Sequence, residues 1–292
     1  MDKTTAELLN ELKEEFQLDL SIDESTEINK DADKKLALIL KALRSSESRS
    51  AFIIQTLNDN IDEFGYESAV KRFKISSDAQ YLMYLVSFDE SFTDSSLEIL
   101  KNIFDTASCD ILQMNESDIV ILKKISRPIS ADDIEATASE IHYALLSEAM
   151  EKAAVAYDTT SFTFDKASAC YRNLKLTMNV GRQFFADKDI YNYSDLGITS
   201  LLYQLPATAC KDYMKKNLPG LDFGSLDAET MNTVKTFLNC NLSISETARV
   251  LYLHRNTLVY RLDAFKKQTG LDLRKFDDAM KVQTGLYIWY ML

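Results

Sequence analysis

The amino-acid sequence predicts a helix-rich α+β chain in three parts. An N-terminal helical segment covers residues 1–75, a mixed α/β domain 76–220 and an all-α domain 225–292. Three observations predict this. With 292 residues, 46% of them apolar, the chain has material for about two or three ordinary cores. Only seven Gly and three Pro cannot supply the turn roughly every ten residues that sandwiches and barrels require, which excludes an all-β fold. The apolar spacing is helical towards both ends, and strand-like runs alternate with helices between them.

The elements follow in order. Leu8, Leu9, Leu12 and Phe16 share one face of a short amphipathic helix over 5–16. The polar, acidic stretch 19–34 reads as a loop, and a second helical pattern runs from about Lys35 to Asn58 with a break at the Ser-rich 45–50. YLMYLVSF (81–88) suits a buried strand, and Ser95–Asp105 returns to helical spacing. Asp110–Met114 and Ile119–Ile125 read as a hairpin around the turn Asn115-Glu116-Ser117-Asp118. A helix over 131–150, a strand over 152–157, a helix over 164–185 and a strand over 190–193 complete a β-α-β-β-α-β-α-β order, the pattern of a mixed sheet covered by helices. Helices over 197–205 and 207–217 lead to Pro219–Gly224. Those six positions hold three of the chain's ten Gly and Pro residues and mark the expected domain boundary.

Composition excludes much chemistry. Cys109, Cys170, Cys210 and Cys240 lie 30 to 61 residues apart with no CxxC, so they read as reduced, apolar residues. Two histidines, His142 and His254, leave almost no material for a metal centre or a Ser-His-Asp machine, and no two glycines fall within three positions of each other, so Gly-rich phosphate loops are missing. No catalytic residue, metal or cofactor is expected. No apolar run approaches the roughly 18 residues of a bilayer span, and the N-terminus lacks a signal-peptide core, so a soluble, cytoplasmic protein with no membrane partner is expected.

Charge is partitioned. The net charge is −12, yet residues 225–292 carry nine Lys/Arg against seven Asp/Glu, while the remainder carries 24 against 38. The compact basic island is 243–268, where Arg249, Arg255, Arg261, Lys266 and Lys267 face Glu246 and Asp263.

That island has a distinctive spacing. Asp227 can cap a helix running to about Asn239. Ser243 and Glu246 then stand in capping-box register, and Ala248 is followed by Leu251, Leu253, Leu258 and Leu262. This is the spacing of two short helices crossed through a tight turn, a helix-turn-helix. On the second helix Leu258, Leu262 and Phe265 share one face and Asn256, Tyr260, Asp263 and Lys267 the other, with Thr257 and Arg261 flanking. Arg and Asn have the donors and acceptors that read guanine and adenine edges. Ser243, Ser245 and the first backbone N–H groups of the preceding helix suit phosphate contacts, and Arg249, Lys266 and Lys267 add attraction. Tyr260 also suits packing against a neighbouring helix, and His254 suits either a cap or a phosphate contact.

The run TARVLYLHRNTLVYRL, with its HRNT-x-x-YRL core and the following TGLDL (269–273), resembles the C-terminal helix-turn-helix of the PucR/CdaR family, bacterial regulators of purine catabolism and sugar-diacid use. The resemblance covers about 227–292. It implies that His254, Arg255, Asn256, Thr257, Tyr260 and Arg261 form the element facing double-stranded DNA. Tyr252 stands where many helix-turn-helices have a turn glycine. The family usually carries a degenerate GGDEF-like domain upstream, and the order of elements over 80–195 resembles it more weakly. The hairpin turn 115–118 lacks the glycines of a diguanylate cyclase. Glu116 and Asp118 read as a solvated hairpin tip rather than as residual metal ligands, and only about 75 residues precede the domain.

The expectation is a non-enzymatic transcriptional regulator, controlled by a small-molecule effector or by self-association as a homodimer or higher homo-oligomer. A nucleotide-binding or diguanylate-cyclase-like enzyme with an appended helical domain is the alternative, and a helix-turn-helix used only for protein contacts is a third reading. The apolar C-terminus GLYIWYML suits either core closure or a dimer contact.

Overall fold

A computed structural model describes residues 48–105 and 107–292. The helix expected over 5–16, the loop over 19–34 and the part of the second helix before Ser48 lie outside the described residues. These fall into two compact units, 48–153 with 158–174 and 154–157 with 175–292. The grouping differs from the division expected at 220–225.

In the first unit the Ser-rich stretch starts a helix. Ser48 caps α1 (Arg49–Leu57), its side chain accepting from the Ala51 N–H. Helix α2 (Glu63–Arg72) is an addition to the sequence reading, because its few apolar residues make a faint stripe. It is held by aromatic packing, with Tyr66 stacked on Phe164 and in contact with Phe52.

Strand β1 (Gln80–Phe88) is buried from Tyr81 onward, which explains why it reads as a continuous apolar run. After α3 (Asp94–Ile103) come β2 (Cys109–Gln113) and β3 (Asp118–Ile125). They form the expected antiparallel hairpin, with β3 also antiparallel to β1. The turn is tied rather than merely solvated. Asp118 accepts from Ser87 Oγ at 2.6 Å and from Asn115 Nδ2 at 2.9 Å, so its carboxylate has a structural use. Helix α4 (Ala131–Ala144) ends in a π turn over Leu145–Ala149. His142 is buried on it, and its Nδ1 sits 2.8 Å from the Ala153 carbonyl, an anchor to the start of β4 (Ala153–Tyr157). A two-residue β5 (Phe162–Thr163) pairs with β1. Helix α5 (Ala167–Phe184) begins in this unit and ends in the other.

In the second unit β4 pairs in parallel with β6 (Ile190–Asn192), so strand directions are mixed. The rest is helical: α6 (Ile198–Tyr203), α7 (Ala207–Asn217), α8 (Ala228–Asn239), α9 (Ile244–Val250), α10 (Arg255–Thr269) and α11 (Phe276–Met291). Their core joins Val234, Phe237, Leu258, Leu262, Phe265 and Leu286. The Pro219–Gly224 stretch carries Leu221 and Phe223 into the same core, so it is packed, and Gly or Pro there shapes a tight path rather than a tether. On α11, a Cβ at Gly285 would lie 2.1 Å from Leu218 Cδ1, so glycine permits that close approach. Gly285, Leu286 and Ile288 are buried while Trp289 and Leu292 are exposed, so the C-terminal run closes the core only in part. All four cysteines are free. Cys109 and Cys210 are buried and Cys170 and Cys240 partly so; burial pushes the Cys170 thiol up to about 12. No helix among the described residues is long and apolar enough to cross a membrane.

Candidate nucleic-acid interface

Helices α8, α9 and α10 build the site. Asp227 caps α8 by accepting from the Thr230 N–H at 2.8 Å, and that bond keeps its carboxyl below the usual range. The α8–α9 turn holds Asn241 at φ 52° and Leu242 at φ 60°, and the Leu242 N–H reaches back to the Phe237 carbonyl at 3.0 Å. Ser243 then caps α9, accepting from the Glu246 N–H at 3.3 Å. This is half of the expected capping box, since the Glu246 carboxylate turns to Arg249 on the same helix instead.

The α9–α10 turn closes at Tyr252, where many helix-turn-helices have a glycine. Without a glycine it still adopts the left-handed conformation, at Tyr252 with φ 54°. The Tyr252 N–H bonds to the Arg249 carbonyl at 3.2 Å and the Leu253 N–H to the Ala248 carbonyl at 2.8 Å, the Schellman pattern that satisfies the last carbonyls of a helix. Holding a residue with a Cβ there costs about 1–2 kcal/mol, and two backbone bonds beside the core oppose that cost. Tyr252 is 96% exposed.

His254 caps α10, its Nδ1 accepting from the Asn256 N–H at 3.3 Å. In that bond the imidazole proton sits on Nε2. Leu258, Leu262 and Phe265 are buried as expected. Arg255, Asn256 and Thr257 are exposed beside the positive end of the helix dipole, and Tyr260 is 74% exposed, so it is not a packing residue. Arg255 has no carboxylate partner among the described residues. Ser243 and Ser245 are exposed at the start of α9.

Towards the carboxyl end of α10 the cations are engaged. The Arg261 side chain is 24% exposed, paired with Glu229 of α8 and donating to Thr233 Oγ1 at 3.3 Å. Lys266 Nζ lies 3.1 Å from Asp272, and Arg274 bridges Asp272 and Asp263, each at 2.8 Å. The Arg274 guanidinium, helped by Lys266, holds the Asp272 carboxyl well below the usual carboxylate range. Lys267 is exposed with no carboxylate partner among the described residues. The helix stops at Gly270, φ 78°. Nothing in the linear sequence points to Glu229 or Asp272 as part of the site, because their pairings depend on how the chain brings distant positions together.

The family model of the PucR C-terminal helix-turn-helix domain matches residues 230–288. This segment is a PucR-type helix-turn-helix domain. The PucR-type domain occupies α8 to α11, and the Tyr252 turn and α10 lie at its centre. Among curated proteins, the chain is 32% identical over 118 residues to the carbohydrate diacid regulator of Escherichia coli (strain K12), covering 40% of this chain and 31% of that protein. It is 24% identical over 254 residues to the purine catabolism regulatory protein of Bacillus subtilis (strain 168), covering 80% of this chain and 46% of that protein. The matches thus span less than half of either relative. A solved regulator of polyketide synthase expression from Bifidobacterium adolescentis is 20% identical, with a TM-score of 0.43, covering 87% of this chain and 98% of that one.

Proposed function

We propose that the chain is a transcriptional regulator that binds double-stranded DNA through the exposed amino-terminal half of α10. The observation that carries this reading is the outward face of Arg255, Asn256, Thr257 and Tyr260 on the second helix of a PucR-type helix-turn-helix. Asn256 and Arg255 meet base edges in the major groove. His254 Nε2–H, Ser243 and Ser245 meet phosphates, and Lys267 adds attraction. Lys266, tied to Asp272, contributes less. Arg261 is assigned to holding α10 against α8, because reading a base would first require breaking its pair with Glu229.

One helix-turn-helix covers one half-site, so the reading includes a homodimer or higher homo-oligomer, with half-sites about 10 bp apart or a multiple of that. Residues 225–292 serve as the DNA-binding domain and 76–220 as a GGDEF-like regulatory domain without cyclase chemistry, its 115–118 turn having no glycine. The protein works in the cytoplasm as a non-enzyme. The relatives' names, both regulators, support this class.

The test is titration of the full chain with duplex from upstream of its own operon and with scrambled duplex, at two salt concentrations. A preference for the natural duplex that Asn256→Ala removes supports the reading. If Asn256→Ala and Arg255→Ala bind the natural duplex as tightly as the parent, α10 is not the reading element.

A further inference from the structure

The first unit holds a recess of about 680 Å³ between the end of β3 and the start of α4. That volume lies within the roughly 300–1,000 Å³ of small-molecule sites. Its lining combines hydroxyls from Ser108, Ser126 and Thr137 with apolar walls from Ile125, Pro128 and Ile129. Tyr84 is also part of the lining; it is buried, and its hydroxyl donates to the Ile134 carbonyl at 3.4 Å. Burial raises that phenol to about 12, so it stays a neutral donor at ordinary pH.

The charges are one-sided. Lys123, Lys124 and Arg127 border the recess. Successive strand residues point to opposite faces. Lys123 stands opposite Leu82, on the face of Tyr84, whereas Lys124 stands opposite Tyr81 on the other. Lys123 on the Tyr84 face of β3 and Arg127 on the loop that follows are thus the two cations of the lining outside the opposite face. Neither has a carboxylate partner among the described residues, although the chain carries 45 Asp and Glu. The Lys123 side chain is half-buried, and its ammonium lies 5.8 Å from the Phe104 ring centroid. The single carboxylate in the lining, Asp133, already accepts from Ser130 Oγ at 2.7 Å. An ammonium beside an aromatic ring and a guanidinium, neither paired with a carboxylate among the described residues, are open to an anionic ligand, which would form charge-assisted hydrogen bonds with both.

We infer that this recess binds a small organic oxyanion, a carboxylate- or phosphate-bearing metabolite whose charge is met by Lys123 and Arg127 and whose polar body is met by the surrounding hydroxyls. This goes beyond DNA recognition and does not depend on it.

The experiment is calorimetric titration of the full chain, without DNA, with sodium citrate and with sodium phosphate against sodium chloride of equal ionic strength. Saturable binding of at least one probe is expected, weakened at least tenfold in Lys123→Ala and in Arg127→Ala and kept in Lys123→Arg and in Lys211→Ala, a change in the other unit. Citrate alone identifies a carboxylate ligand, phosphate alone a phosphate ligand, and both a general oxyanion site. No saturable binding of either probe, or equal binding by the parent and Arg127→Ala, overturns the proposal. Arg127 is exposed on the loop after β3, so its variant decides the matter even if Lys123→Ala fails to fold. Loss of DNA binding leaves this result untouched, and the reverse also holds.

Discussion

The two ends of α10 differ in what their charges are doing. At the amino end Arg255, Asn256, Thr257 and Tyr260 face solvent with donors to spare. Towards the carboxyl end Arg261 is bound by Glu229, Lys266 by Asp272, and Arg274 joins Asp272 to Asp263. Of the five cations in the basic island 243–268, Arg249, Arg261 and Lys266 are thus engaged within the domain, leaving Arg255 and Lys267. A count of basic residues overstates an interface whenever the fold has already consumed them.

The largest expected effect lies at the carboxyl end. The Asp272 side chain is nearly buried, and its removal leaves two cations side by side. Both reach solvent, so the loss falls below the range for a sealed pair, and Asp272→Ala should cost about 2–3 kcal/mol of stability. Urea denaturation should show a lower midpoint at unchanged slope, with operator affinity of the folded protein no weaker than the parent's. The pH dependence follows from the depressed carboxyl. Its contribution is complete above the unfolded Asp value of about 3.9 and is lost as pH falls below it towards the folded value. Asp272→Asn should flatten that part of the acid limb. A variant as stable as the parent at both pH 7 and pH 3 would dissolve the contrast.

Next come Arg255→Ala and Asn256→Ala, which should each cost about 1–2 kcal/mol on operator DNA. Stability should stay within about 0.5 kcal/mol, because these exposed side chains carry no packing. Arg261→Ala should show the opposite profile, with lower stability and an equal effect on operator and scrambled DNA. Equal profiles for Arg255→Ala and Arg261→Ala would erase the distinction between the ends.

A smaller effect moves the border between them. Glu229→Gln removes the carboxylate that holds Arg261. The pair is largely exposed on the Glu229 side, so stability should fall by less than about 1 kcal/mol. The released guanidinium should raise affinity for any DNA sequence a few-fold and steepen the salt dependence by about one phosphate contact. A salt slope identical to the parent's would mean that Arg261 lies outside the contact altogether.

The sequence disclosed the elements that rest on local chemistry. Ser243 and Asp227 are caps because a side-chain oxygen meets an N–H three residues on, and Leu258, Leu262 and Phe265 are core because they recur on one helical face. Their contacts beyond the helix were not legible. Glu229 reaches Arg261 across 32 positions, and Glu246 abandons its cap for Arg249, because long charged side chains settle where neighbouring helices leave room. The packing of Leu221 and Phe223 was likewise hidden, since Gly and Pro signal a change of direction and not whether the chain turns in solvent or against a core.

Tyr252 carries the smallest effect and separates strain from use. Its φ of 54° costs a residue with a Cβ about 1–2 kcal/mol. Glycine there avoids that cost but loses about 0.5–1 kcal/mol more backbone entropy on folding. The ring is 96% exposed, so its removal forfeits almost no buried area. Tyr252→Gly should therefore gain about 0.5 kcal/mol of stability, whereas the β-branched Tyr252→Val should lose more than that. If α10 reads DNA as proposed, Tyr252, three positions ahead of Arg255 and likewise exposed, adjoins the contact. Tyr252→Gly should then bind operator and scrambled duplex two- to threefold more weakly while melting higher. A variant that melts higher and binds as tightly as the parent would make the strained ring idle, and would confine the working end of the helix to Arg255 and the residues after it.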